Sequence, residues 1–276
     1  MTITNTLADL LNFLPTVILA VFIYMTALYT ISLVRKRADI VDIGWGMGFI
    51  LIALISLFNQ DMLTDRMIIV TLLVLIWGIR LSLHIFLRNR GKEEDYRYLN
   101  FKKNWGNLFY IRSYFQIFLF QGFLMLIVSL PITLVSVSFS PNLVTLDYIG
   151  IGVWLIGFLI ETLADIQLKQ FINLKKAKIV TNKFANIGLW KYSRHPNYFG
   201  EILQWWGIGI IAYSVAYGYI GLLGPLAITY LIIFVSGIPL LEKRFKEHPE
   251  WEEYILRTNK LLPLPKLENL LPFKEE

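Results

Sequence analysis

The densest run of reactive side chains in the sequence is GLWKYSRHPNYFGEILQWWG, from Gly188 to Gly207. It sets Arg194, His195, Pro196, Asn197, Tyr198 and Glu201 at the point where a polar stretch meets an apolar one. Pro196 suits the first turn of a helix, whose free amides attract an anion. Asn197 and Glu201, four residues apart, leave one face of that helix together. An amide beside a carboxylate can both donate to and accept from a ligand carboxamide. Capping and anchoring are the plainer roles, but the density of polar types exceeds what anchoring needs. Glu161 and Asp165 repeat the four-residue spacing, with Lys169 one turn further on. Carboxylates placed this way accept hydrogen bonds from the hydroxyls of a ribose or the NH2 of an amide. The stretch 165–178 also reads as a basic amphipathic segment lying on a membrane surface.

Smaller groups of polar residues stand apart from these. Asp39 and Asp42 flank the start of an apolar, glycine-rich run, either solvated at an interface or facing a cavity. Arg80, His84 and Arg88 form a stripe along one helical face, able to snorkel to water or to face an internal carboxylate or phosphate. The loop RNRGKEEDYRYLNFKKNW, Arg88 to Trp105, mixes Asn89, Gly91 and Tyr96 with its cations. Such a mixture can grip phosphates and pack a flat ring. The tail LEKRFKEHPEWEEYILRTNKLLPLP carries Glu242, Arg244, Phe245, Trp251, Tyr254, Asn259 and Pro263, and reads as an amphipathic helix folding back over the loops.

The elements that must position these groups follow from composition. Of 276 residues, 56% are hydrophobic and only 17% charged, with no cysteine and a formal charge of +6. That is more apolar side chain than one soluble core of this length buries, and it excludes disorder, a disulfide scaffold and a Cys-ligated zinc site. No metal is expected. A nucleic-acid partner is excluded because the cations lie between long apolar runs instead of on a polar surface. A helix needs about 20 apolar residues to cross a bilayer. Seven stretches qualify, near 13–34, 43–59, 67–87, 113–137, 147–164, 198–216 and 218–241. The first lacks a basic segment before it and a small-residue cleavage site before Arg35, so it counts as a span. Twenty-four of the 26 Lys and Arg fall in four stretches, at 35–37, 88–112, 165–195 and beyond 241. Only an odd number of spans, with the N-terminus outside and the C-terminus cytoplasmic, puts all four on the cytoplasmic side. Arg66 and Arg80 are the exceptions. The expected fold is therefore all-α, a single integral membrane domain over 1–276 forming a seven-helix bundle. No Gly-rich motif sits between a strand and a helix as a Rossmann fold requires.

At these residues the sequence resembles the membrane steroid 5-alpha-reductases and sterol reductases and, more distantly, isoprenylcysteine and phospholipid methyltransferases. The shared signature is RHPNYFGE followed by EKRF…W…Y…LLPLP. The resemblance is to the uncharacterised bacterial branch of the 5-alpha-reductase family. It extends over nearly the whole chain, is most specific from Glu161 to Pro265, and makes 147–265 the cofactor-binding half. It implies that Asn197 and Glu201 contact the nicotinamide end of NADPH and the substrate pocket. Glu161 and Asp165 match the family's Asn-x-x-x-Asp, with Lys169 in place of an Arg. Asn89, Arg90, Gly91 and Lys92 match its Asn-Arg-Gly-Arg loop, Arg80 the Arg before that loop, Lys183 an Arg upstream of the RHP motif, and Tyr254 the tail tyrosine. Arg194 and His195 of the motif itself join the cofactor set. The steroid enzymes polarise a 3-ketone with a Glu in the second span and a Tyr in the third. Here the nearest acid is Asp42, and the tyrosine position falls near Trp77.

The expectation from these residues is NADPH-dependent reduction of an activated carbon–carbon double bond in a lipophilic steroid-, sterol- or isoprenoid-like substrate. Glu201 orients the nicotinamide with Asn197. Arg80, Lys92, Lys169, Lys183 and Arg194 hold phosphates, Tyr254 packs on the cofactor, and Asp42 or Tyr198 supplies a proton. The alternative is an S-adenosylmethionine-dependent methyltransferase acting on a lipid or prenylated group, in which RHP motifs and acidic, aromatic tails also occur. Two features favour the reductase: Asn197 followed by Gly200 and Glu201, and more cations than a phosphate-free cofactor needs. A monomer in a bacterial inner membrane is the expected setting.

Overall fold

A computed structural model describes residues 3–59, 63–140, 142–243 and 245–266, apart from the side chains of residues 3–5. Arg244 of the tail lies outside the described residues. The described residues are helical and contain no strand, only a two-residue parallel bridge between Ser193 and Asn259. Among the described residues, six helices are long and apolar enough to cross a membrane: Thr6–Arg35, Ile40–Phe58, Asp65–Asn89, Tyr96–Val128, Thr145–Lys176 and Gly218–Lys243. The protein is an integral membrane protein of helical class. The stretch expected as the sixth of seven spans is a helix too, Pro196–Tyr213, but at 18 residues and with Asn197, Glu201 and Gln204 in it, it is not among those six.

The chain divides into two compact units, one of residues 1–150 with 208–227, the other of 151–207 with 228–276. The first unit is built on α1 (Ile3–Arg35), α2 (Ile40–Phe58) and α3 (Asp65–Asn89). α1 ends in a left-handed Lys36, with Lys36 N bonded to Leu33 O and Arg37 N to Ser32 O, which satisfies two terminal carbonyls. α3 starts at Thr64, whose hydroxyl accepts from Met67 N at 3.3 Å. α2 and α3 pack closely along their lengths. They cross where a Cβ on Gly46 would lie 2.5 Å from the Gly78 carbonyl, and a Cβ on Gly78 2.7 Å from the Gly46 carbonyl. Lipid tails give helices no hydrophobic reason to associate, so this backbone approach supplies the van der Waals contact that holds the pair. Phe49 fills the space beside it, its ring edge-on to Trp77 at 5.6 Å. The fourth candidate span starts earlier than expected: helical turns run from Tyr96 to Val128 through α4 (Tyr96–Trp105), α5 (Phe109–Ser113) and α6 (Phe120–Val128), and after a turn at Ser129 α7 covers Leu130–Val137.

Deep in the same unit is a buried ion pair. Arg66 is 1% exposed. Its Nε and Nη2 donate to the two oxygens of Asp147, both at 2.8 Å, while Nη1 reaches Ser140 O at 2.9 Å. Nη2 also reaches Asn142 O, and Asp147 receives Val144 N at 2.7 Å and Ser214 Oγ at 3.1 Å. Every nitrogen of the guanidinium group thus has a partner, the condition under which a charge pair tolerates burial.

The second unit takes most of α8 (Thr145–Lys176), the N-terminal part of the helix Pro196–Tyr213, here called α9, and the tail. α8 does not stop near 164 with a separate surface segment after it. It continues to Lys176 and closes on a left-handed Lys178, with Lys178 N on Lys175 O and Ile179 N on Leu174 O. Glu161 and Asp165 therefore project from the interior of one 32-residue rod. After α9 the chain turns into Gly218–Lys243, then into the tail helix Glu250–Arg257.

Breaking the buried pair by Arg66→Ala or Asp147→Ala should cost roughly 3–5 kcal/mol, because one charge is left without its partner. Replacing both residues by Met and Leu should recover most of that loss, as read by melting temperature in detergent.

Candidate functional site

The polar residues of the second unit collect where α8 and α9 cross. A Cβ on Gly157 would lie 2.6 Å from the Gly200 carbonyl and 2.9 Å from Gln204 N. A Cβ on Gly200 would lie 2.6 Å from both the Gly157 carbonyl and Glu161 N. With backbones this close, short side chains on either side of the contact reach each other. Gln204 Nε2 donates to Glu161 Oε2 at 2.6 Å and to the Gly200 carbonyl at 3.3 Å. Asn197 Nδ2 donates to Asp165 Oδ1 at 3.4 Å, a longer contact. The two carboxylates of α8 are thus met in antiparallel order by two amides of α9. Glu161 is 3% exposed, and Asp165, Asn197 and Glu201 are half-buried. Paired carboxylates and amides present both donors and acceptors over a short distance, as recognition of a polar ring substituent or a ribose requires.

The structure gives the RHP residues a different setting. Arg194 Nε and His195 Nε2 meet one oxygen of Glu242, at 2.8 and 3.1 Å, and Arg194 Nη1 donates to Thr258 O at 2.8 Å. The guanidinium carbon lies 5.8 Å from the Trp251 ring centre. Ser193 Oγ donates to Leu261 O at 2.7 Å, and Asn259 N and Arg194 N complete the short bridge with Tyr192 O and Asn259 O. The tail therefore folds back onto the start of α9, and Arg194 and His195 are the residues that bind it. Burial pushes the His195 pKa below its ordinary value of 6.5, against the opposing pull of Glu242, and Arg194 and Lys260 push it the same way as burial. A neutral imidazole that donates from Nε2 to Glu242 fits both observations.

Tyr254 lies flat on Phe184, ring centres 4.8 Å apart, inside a cluster with Phe245, His248 and Trp251. Burial raises its pKa to about 12, so it stays a neutral hydroxyl. Tyr198 stacks on His195 at 5.7 Å. Lys169 and Lys183 are exposed, and the Lys183 amide donates to Glu250.

The remaining expected residues belong to the first unit. Asp42 accepts from Arg97 Nη2 and from the Tyr98 hydroxyl, each at 2.7 Å. The tyrosine that meets Asp42 is Tyr98, in the helix Tyr96–Trp105. Around it the loop is tied to the turn between α1 and α2. Arg37 forks onto Asp39 at 3.0 and 2.7 Å and donates to the Lys92 carbonyl at 2.7 Å. Glu94 accepts from Ala38 N and from Lys102. Arg90 and Lys92 point outward, Asn89 accepts from Arg88 Nε at 3.3 Å, and Arg80 and His84 lie on one open, largely apolar face of α3 with Ile79 and Leu83. Sequence reasoning missed Gln204, Glu242, Arg97 and Tyr98 as partners. Gln204 was findable, since seven residues after Asn197 brings the helix back to the same face.

The fold and the crossing define an all-helical membrane protein with a polar inter-helix site in its second unit. Residues 28–258 match the family described as a protein of unknown function, DUF1295, and the chain belongs to that family. It is similar to human 3-oxo-5-alpha-steroid 4-dehydrogenase 1, 36% identical over 111 residues that cover 38% of this chain and 37% of that protein. The rat protein of the same name is 28% identical over 102 residues, covering 37% of this chain and 33% of its own length. An uncharacterized protein of Schizosaccharomyces pombe is 25% identical over 207 residues, 67% of this chain and 60% of that one. The chain thus spans little more than a third of the human relative. No solved structure matches.

Because the native state holds His195 neutral while the unfolded chain protonates it near pH 6.5, unfolding takes up a proton as pH drops. The His195 contribution is fully present above pH 6.5 and declines as pH falls through the depressed native pKa. His195→Gln should flatten that part of a melting-temperature profile between pH 7.5 and 5, and an unchanged slope would count against the assignment.

Proposed function

We propose that the protein is a membrane-embedded, NADPH-dependent reductase of an activated C=C bond in a lipophilic steroid-, sterol- or isoprenoid-like substrate. The observation that carries the reading is the α8–α9 crossing, where Glu161, Asp165, Asn197 and Gln204 converge on two backbones in contact. The similarity to mammalian proteins named 3-oxo-5-alpha-steroid 4-dehydrogenase supports the reaction class. The residues fit the cofactor: the crossing holds a buried amide oxygen, Gln204 Oε1, with no protein partner among the described residues. NADPH, when bound, supplies the hydride. Asn197 and Glu201 hold the nicotinamide amide, Glu161 and Asp165 accept from its neighbouring hydroxyls, and the exposed Lys169 and Lys183 balance phosphate charge. Arg194 and His195 serve by tying down the tail, and Tyr254 by packing within it. In the first unit, Asp42, which accepts from Arg97 and from the Tyr98 hydroxyl, is the first proton source proposed. Tyr198 is the second proton source proposed.

The proposed topology is seven spans with the N-terminus outside, in a bacterial inner membrane, the protein being a monomer. Two contacts support α9 as a crossing. Its start meets α8 at Asp165, and Ser214, just past its end, meets α8 at Asp147. Those positions on α8 are 18 residues apart, about 27 Å at 1.5 Å per residue, close to the roughly 30 Å of a hydrocarbon core. Arg66, in the first turn of α3 at the proposed outer end, is neutralised by Asp147 and places no free charge there.

Detergent-purified protein titrated with NADPH and with S-adenosylmethionine should be thermally stabilised by NADPH alone. Glu201→Gln and Asn197→Ala should each weaken that binding at least tenfold or abolish enone reduction. Stabilisation by S-adenosylmethionine alone would overturn the reductase reading. Single cysteines at Leu63 and Lys178 should label from opposite faces of the membrane; labelling from one face would break the seven-span topology.

A further inference from the structure

The orientation of the Gln204 side chain is fixed by its surroundings. It is 1% exposed, and the two groups within hydrogen-bond distance of its amide are a carboxylate oxygen of Glu161 and the Gly200 carbonyl. Both are acceptors, so the NH2 must face them. The amide oxygen is thereby turned to the other side, where it is buried and has no protein partner among the described residues. A buried acceptor left in that state is costly, and the cost persists unless something at the site answers it.

We infer that Gln204 Oε1 accepts a hydrogen bond from a neutral NH2 group of the bound dinucleotide and so acts as a specificity-determining residue. This rests on the reductase reading above. The neutral character follows from the neighbours. A cationic donor would go to the Glu161 or Asp165 carboxylates beside it, whereas a neutral amide or amine loses little by choosing an amide oxygen. NADPH carries two such groups, the nicotinamide carboxamide and the adenine amino group. Glu161 has the supporting part: by holding Nε2 at 2.6 Å it prevents the amide from turning over and offering its NH2 instead.

The test compares three reduced dinucleotides on the full-length protein in detergent. These are NADPH, its 3-acetylpyridine analogue, which lacks the carboxamide NH2, and its hypoxanthine analogue, which lacks the adenine amino group. The unsubstituted protein should bind one of the two analogues about tenfold more weakly than NADPH, the size expected for one neutral hydrogen bond. Which analogue suffers identifies the donor. Gln204→Met, close in shape, should lose about tenfold for NADPH yet bind the penalised analogue no worse than the unsubstituted protein does. Equal binding of all three dinucleotides by the unsubstituted protein would overturn the inference without any variant. A variant that weakens all three alike would overturn it as well, because that pattern reports damage to the crossing. If the unsubstituted protein bound none of them, the reductase reading itself would fail.

Discussion

The backbone contact of Gly157 with Gly200 is the constraint from which the second unit follows. In hydrocarbon, two helices gain by approaching only what packing and hydrogen bonds provide. A side chain at either glycine would push the rods apart and carry the Glu161–Gln204 pair beyond hydrogen-bond reach. Separated, Glu161 would be a carboxylate in a helix interior with no answering amide, a costly state in a membrane. The glycines therefore make the polar groups tolerable, and the polar groups in turn fix the register of the crossing. A slip of one residue would present neither amide to a carboxylate.

The first unit uses the same logic with different chemistry. Gly46 and Gly78 bring α2 and α3 into backbone contact, and the charges buried near them are paired. Arg66 and Asp147 form a closed set with three loop backbone groups and Ser214. Asp42 is met by Arg97 and Tyr98, and Asp39 by Arg37 and the Asp95 amide. Charged loops that count in a topology only as tallies of Lys and Arg turn out to contain specific pairs, and these pin the loop after α3 to the turn after α1.

Much of this is legible in the sequence, because bilayer thickness and helical spacing are strong constraints. The apolar runs mark the helices. The four-residue spacing of Glu161 with Asp165 puts both on one face of α8, and the spacing of Asn197 along α9 sets it among polar groups. The partners are harder to read. That Asp165 takes Asn197 while Glu161 takes Gln204 depends on the antiparallel direction and offset of the crossing, which no single helix encodes. Glu242 lies 47 residues from His195, and only the folding back of the tail joins them. The end of α8 is misread for a local reason. The basic residues after Asp165 suggest a separate surface segment, yet Lys175 and Lys176 sit favourably at a helix C-terminus, and Lys178 closes it in a conformation more usual for glycine.

The position of Arg194 separates two ways of reading the same motif. Taken as a string, RHP followed by Asn and Glu looks like one ligand-binding unit. In the structure the string divides at Pro196. The residues before it, Ser193, Arg194 and His195, turn their polar groups toward Leu261, Thr258 and Glu242. Asn197 and, two turns on, Gln204 turn theirs toward α8. The division falls where a proline opens the helix: with no N–H to donate, Pro196 ends one set of backbone bonds and begins another. The consequence is mechanical: the tail and the crossing are joined through a single rigid residue. A change that loosens the grip of Glu242 on Arg194 and His195 is thereby felt at the first turn of α9, where Asn197 meets Asp165.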